Sequence, residues 1–177
     1  MSLQPWDVVD STWLFRSGFM NIRQDRCRKA DGSRTRDYLA LELKDFSVVV
    51  ALTPSRDLVL CREYKHGPRA VVHTLPAGFI EPGETPEQGA RRELLEETGH
   101  AAPAFTPLGT FLLVPDLAAA RGHVFLARDA RAETAPHPDE DEEIEVRTVP
   151  LDRVAGYLED ATSLLAFHLA RPHLPTP

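Results

Sequence analysis

Three glutamates are spaced so that they can act together. Glu93, Glu96 and Glu97 lie within the run RRELLEETG, residues 91–99. On a helix, positions three and four apart share a face, so Glu93 reaches toward both of the others. Like charges placed this way destabilise a helix by about 0.2–0.5 kcal/mol per pair. They also stand near the helix C-terminus, where the macrodipole disfavours negative charge. A bound cation offsets both costs, and hard carboxylate oxygens suit Mg²⁺ or Mn²⁺. Divalent ions held in this way can neutralise phosphate oxygens and activate a water. The plain alternative is a solvated acidic face on a surface helix. The helix by itself does not separate the two.

The element that carries these glutamates has consistent boundaries. Thr85 is a suitable N-cap, Pro86 takes the first helical position and Gln88 completes a T-x-x-Q capping box. Gly99 is placed for a left-handed C-terminal turn, which predicts a helix over Pro86–Thr98. The stripe Ala90, Leu94 and Thr98 is small or apolar and is expected to pack on a sheet. Arg91 and Arg92 are placed to pair with carboxylates of the preceding loop.

Strands are expected at Val8–Phe15, Phe19–Gln24 and Tyr38–Leu43, with a turn at residues 30–33. Phe46–Leu52 reads as a buried strand, and Leu58–Tyr64 alternates as a half-buried one should. Val71–Leu75, Leu108–Val114, His123–Ala127 and Glu143–Val149 follow as strands. Leu151–Glu159 and Ser163–Ala170 read as closing helices, with a loose tail over residues 172–177. The order implies a mixed sheet with helices packed on it, an α/β or α+β domain.

The chain has 177 residues, 27 acidic and 20 basic, for a formal charge of −7. That balance excludes a protein that coats nucleic acid, which needs a basic face. It also fits poorly with an anionic membrane, and no run of about 18 apolar residues is present to span one. An anionic small molecule stays open, because a bound divalent cation reverses the local field. Cys27 and Cys61 make no CxxC pair and are expected as reduced thiols. The N-terminal stretch has no basic segment followed by an apolar run, so a cytoplasmic setting is expected.

The segment from Gly78 to Gly99, GFIEPGETPEQGARRELLEETG, resembles the Nudix hydrolase signature G-x5-E-x7-R-E-U-x-E-E-x-G-U. Gly78, Glu84, Arg92, Glu93, Leu94, Glu96, Glu97 and Gly99 all match; His100 departs from the final aliphatic position. The resemblance implies an α/β/α sandwich with a mixed central sheet and an additional N-terminal antiparallel sheet. It implies that Glu93, Glu96 and Glu97, with the backbone carbonyl of Ala77, hold Mg²⁺ or Mn²⁺. It makes Arg92 the organising partner of Glu84, so that Gly78, Glu84, Arg92 and Gly99 support the site.

The flanks resemble the branch that cleaves ADP-ribose and related nucleoside diphosphate sugars. LVLCREYKHG (Leu58–Gly67), TLPAGFIEPGE (Thr74–Glu84) and Pro115, 16 residues past Gly99, carry this likeness. Glu63 and Lys65 stand where that branch has glutamine and arginine, and Thr74 stands where it has glutamate. The run HPDEDEEIEV (His137–Val146) matches a loop whose glutamate serves as base. Glu140 is the first choice for that role and Glu142 the second, with Glu97 also in the catalytic set. Arg62, Lys65 and Pro115 are the expected substrate contacts.

The resemblance thus implies a small nucleoside diphosphate substrate and a homodimer formed through residues 1–45, with the hydrolase domain over 46–171. The aromatic residues Trp6, Trp13, Phe15, Phe19 and Tyr38 lie in that first segment, as core, dimer or base-stacking groups. A dinucleotide such as NADH or FAD, or a nucleoside triphosphate, is the nearest rival substrate. A sensor that kept the fold without turnover is the more distant rival, and such domains typically lose the helix glutamates that are present here.

Overall fold

The computed structural model describes residues 3–18, 20–139 and 142–175. They form two compact units. The first holds the chain up to Lys44 together with Leu112–Arg121. Its strands β1 (Asp7–Arg16), β2 (Asn21–Arg28) and β3 (Thr35–Glu42) make an antiparallel sheet in that order. The β2–β3 turn closes where Gly32 takes φ +72° and the Asp31 carboxylate accepts the Ser33 amide at 2.9 Å. The excursion 112–121 joins this unit through a hydrogen bond of 2.7 Å from the Leu41 amide to the Leu117 carbonyl. The strand expected to begin at Phe19 begins at Asn21, and Phe19 itself lies outside the described residues. Trp6 packs edge-on against Tyr38 at 5.9 Å, while Trp13 and Phe15 are exposed.

The second unit is built on a mixed sheet ordered β12-β5-β4-β10-β9. These strands are Ile144–Pro150 (β12), Asp57–Lys65 (β5), Phe46–Leu52 (β4), Arg121–Arg128 (β10) and Ala104–Leu112 (β9). β4 and β10 run parallel and the other pairs of β4 and β5 antiparallel. β4 is buried throughout, which explains its unbroken apolar sequence FSVVVAL. Val49 and Ala51 face the helix α1 (Pro86–Thr98) with Val59, Ala90 and Leu94. Val48, Val50 and Leu52 face the opposite layer, where α2 (Ala161–Ala170) contributes Ala166 and Ala170. The architecture is therefore a sheet between helical layers, as the sequence implies.

The sheet forks. β4 and β5 pair directly only at Leu52 and Leu58. Beyond that point β6 (Ala70–Thr74) pairs with β5, and β7 (Ala77–Phe79) pairs with β4. The intervening Leu75 and Pro76 sit in the crotch, where the Pro76 carbonyl accepts the Val49 amide at 2.9 Å. One short pair completes the unit's strands, β8 (His100–Ala101) with β11 (Arg131–Ala132).

Two expectations fail here. Leu151–Glu159 is not a helix: it contains one 3-10 turn, Val154–Gly156. Leu151, Val154 and Leu158 have helical spacing, but the stretch is a series of turns, and Leu158 ends it in an isolated parallel bridge to His73. Nor is the tail loose as far as it is described. Arg171–His173 form another 3-10 turn, and Leu174 packs on the core beside α2. No helix among the described residues is long and apolar enough to cross a membrane.

Candidate active site

Helix α1 starts and stops where its sequence says it should. The Thr85 hydroxyl accepts the Gln88 amide, and the Gln88 side chain accepts the Thr85 amide at 2.8 Å. Gly99 ends the helix at φ +68°, and a Cβ there would fall 2.2 Å from the Thr134 carbonyl oxygen. No side chain fits that position. The Gly99 carbonyl accepts the Glu133 amide at 2.9 Å, and the Glu96 carbonyl accepts the His137 amide at 2.8 Å. The helix end is thus tied to the start of the acidic run. His100 takes its place in the interior, with its Nδ1 2.9 Å from the Thr98 carbonyl.

The last turns of α1 lie against the fork. Glu97 is only 3% exposed. Its Oε2 accepts the Ala77 amide at 3.0 Å and lies 3.6 Å from the Cys61 thiol. Burial first, and then the charges of Glu93 and Glu63, hold the Glu97 carboxyl well above the usual carboxylate range. Burial likewise pushes Glu93 up, against the pull of Arg92. Gly78 passes so close that a Cβ on it would land 2.1 Å from a Glu93 carboxylate oxygen.

Arg92 ties loop and helix together. Its guanidinium donates to both Glu84 oxygens (2.9 and 3.1 Å) and to the Phe79 carbonyl (2.8 Å). It also donates to Glu93 at 2.7 Å and to Glu96 at 3.0 Å. Glu84 in turn accepts the Glu81 amide at 2.9 Å. These bonds to Arg92 hold the Glu84 carboxyl below its usual range.

Glu142 stands in the electrostatic field of the same group. Partial desolvation and the charges of Glu63 and Asp139 raise its carboxyl, against the pull of Lys65. Glu140 lies outside the described residues. Lys65 pairs with Glu63 at 2.7 Å. Arg62 is not brought to the carboxylates. Successive strand residues point to opposite faces, and Arg62 pairs with Glu145 of β12 at 2.7 Å. Pro115 is exposed and belongs to the first unit. A cavity of about 540 Å³ adjoins the fork, sharing Ala77 and Glu63 with it.

The NUDIX domain model matches residues 43–167. The chain belongs to the NUDIX family. It is 36% identical over 112 residues to an ADP-ribose pyrophosphatase of Bacillus subtilis (strain 168), 63% of this chain and 60% of that protein. The chain thus spans about three fifths of that relative. It is 32% identical over 160 residues to the ADP compounds hydrolase NudE of Escherichia coli (strain K12), 90% of this chain and 85% of that protein. A crystal structure of an ADP compounds hydrolase superposes with a TM-score of 0.84 at 23% identity, covering 98% of this chain and 96% of that one. That likeness fixes the NUDIX fold.

The NUDIX helix supplies hard oxygen donors in excess of the cations around them. Among the described residues no three His, Cys, Asp or Glu side chains converge on one point. Arg92 instead bridges Glu93 and Glu96, and Glu97 engages the amide of Ala77 rather than its carbonyl. The donor chemistry nevertheless fits a divalent cation. The carboxyls of Glu97 and Glu93 are held above their usual range by desolvation first and by neighbouring carboxylates second, and added positive charge relieves both. Sequence reasoning missed Glu63, which is 5% exposed and hydrogen-bonded to Thr74. The strand period was the available signal, since Val59, Cys61, Glu63 and Lys65 share one face of β5.

Proposed function

We propose that this chain hydrolyses the diphosphate bond of ADP-ribose or a related nucleoside diphosphate sugar, releasing a nucleoside monophosphate and a sugar phosphate. The observation that carries this is the placement of buried Glu97 and half-buried Glu93 at the sheet fork, beside a cavity large enough for a sugar. The activities named for the Bacillus subtilis and Escherichia coli relatives support the same reading.

Glu93, Glu96, Glu97 and the Ala77 carbonyl would hold Mg²⁺, or Mn²⁺ in its place. Such ions, when bound, neutralise the phosphate oxygens and acidify the attacking water. The chain's own residues do the rest. Arg92 fixes Glu93 and Glu96 relative to the loop of Glu84, so the helix carboxylates are pre-positioned. Glu142, or Glu140 two positions earlier in the sequence, accepts the proton of the attacking water. A carboxyl raised above its ordinary value, as Glu142 is, suits that role better than an unperturbed one. Lys65 contacts the diphosphate.

The exposed apolar side chains Val8, Trp13, Leu14 and Phe15 of β1 support a homodimer formed through the N-terminal strands. Two buried free thiols, Cys27 and Cys61, support a reducing, cytoplasmic setting.

Steady-state hydrolysis with Mg²⁺, with products identified by mass, tests the proposal. Nucleoside monophosphate plus sugar phosphate is expected, with loss of turnover on chelation and in Glu97→Gln. Pyrophosphate release from a nucleoside triphosphate as the main reaction would sink the substrate assignment. A Glu97→Gln variant that keeps most of its activity would sink the metal-ligand assignment.

A further inference from the structure

Glu63, Lys65 and Thr74, three places where this chain departs from the resembled flank, form one connected group. Each Glu63 oxygen has its own donor. The Thr74 hydroxyl donates to Oε1 at 2.7 Å, and the Lys65 ammonium lies 2.7 Å from Oε2. Thr74 reaches Glu63 because β6 pairs with β5 with Thr74 opposite Cys61, one diagonal step away. Glu63 is 5% exposed and held on both sides, so its carboxylate has a single orientation.

Lys65 is the mobile member of this group by nature, with a long stem and three N–H donors. One donor is held by Glu63, while about half of the side chain stays exposed. It lines the cavity of about 540 Å³, whose wall also includes Thr74, Ala77, Glu159, Asp160 and Ser163. It is the one cation among the described residues of that wall. The charges of Glu97 and Glu142 reach the same ammonium. Lys65 therefore stands where the carboxylate site meets the cavity.

We infer that Glu63 and Thr74 are positioning residues that lock the Lys65 ammonium at this junction, where it holds the phosphate attached to the group lodged in the cavity. The inference rests on the diphosphatase reading above. An untethered lysine at this point would swing toward Glu142 or Glu97 and compete with a bound cation for them. Tethering to a buried carboxylate keeps its charge available while fixing its direction.

A double-mutant cycle on ADP-ribose hydrolysis decides the matter. Lys65→Met should raise KM about tenfold, with kcat changed less than about threefold. Glu63→Gln, nearly isosteric, should raise KM about fivefold with the same split, and Thr74→Val about twofold. Lys65→Arg should recover most of the loss. If Glu63 acts through Lys65, the double variant should be no worse than Lys65→Met alone. Multiplying effects in the double variant, a fall in kcat at constant KM, or an unchanged KM in Glu63→Gln would each overturn the inference. If the wild-type chain turns over no nucleoside diphosphate, the diphosphatase reading fails on its own. Calorimetry of inorganic pyrophosphate with Mg²⁺ then runs the same cycle on Kd, and non-additive weakening supports the tether while additive or absent weakening overturns it.

Discussion

Arg92→Gln isolates the joint between loop and helix. The guanidinium makes five hydrogen bonds, four of them to three carboxylates, with its side chain 26% exposed. Glutamine reaches at most one or two of these acceptors. Removing one partner of a buried charge network costs about 3–5 kcal/mol, and an exposed pair contributes about 0–1 kcal/mol. Partial exposure places Arg92 between these limits, at about 2–3 kcal/mol. The loss has two parts: Glu84 is left without its main counter-charge, and Glu93 loses the group that opposes its raised carboxyl. For a chain of this size that corresponds to a fall in Tm of roughly 4–12 °C. Urea unfolding in metal-free buffer measures it directly. Arg92→Lys should recover less than half, since one ammonium cannot span Glu84 and Glu96 together. A cost under about 0.5 kcal/mol would refute the reasoning, because it would place the whole cluster in the regime of surface ion pairs.

Glu97, Glu93 and Glu142 all have carboxyls held above their ordinary value of 4.5. Their folded-state pKa exceeds the unfolded one, so their contribution to stability is full at low pH and is lost as pH rises through the folded values. The metal-free Tm should therefore fall as pH rises above the ordinary carboxylate range, and Glu97→Gln should flatten that fall; a Tm that climbs there contradicts the assignment. Gly78→Ala drives a methyl into the Glu93 carboxylate. It should cut kcat by about 100-fold or more while moving Tm by only a few degrees, and equal losses in both would point to misfolding instead. Gly99→Ala meets both a left-handed φ and the Thr134 carbonyl. It should cost more than the roughly 1–2 kcal/mol of the conformation alone, read by urea unfolding.

What the sequence revealed depended on whether the signal was local. Thr85, Pro86, Gln88 and Gly99 act within one turn of chain, and the helix they bound runs as expected. The buried run of β4 was equally plain, because burial on both faces removes any need for polar alternation. The fork was not legible. It depends on β4 and β5 parting after Leu52 and Leu58, and only the return of β6 and β7 reveals it. Leu151–Glu159 misled because apolar spacing does not report a tertiary partner: its residues turn around one 3-10 turn, and Leu158 bridges to His73. Within the site, the pairing of Arg92 with Glu84 was foreseen. Its hold on Glu93 and Glu96 was not, since those glutamates were read as ligands alone. Arg62 was expected at a phosphate, and the alternation of β5 turns it to Glu145.

The excursion Leu112–Arg121 has a bearing on how this chain can be taken apart. The polypeptide enters its first unit, leaves at Lys44, returns at Leu112 and departs again at Arg121. Neither unit is one continuous stretch, so no single cut yields both as separate pieces. Deleting the chain up to Lys44 would strip Leu117 of its backbone partner and leave Leu112, Leu113 and Val114 without the strands they accompany. Exchange of parts between relatives is constrained in the same way. A loop carrying Pro115 is transplantable only together with the strands it is bonded to, so the two must be inherited as one module.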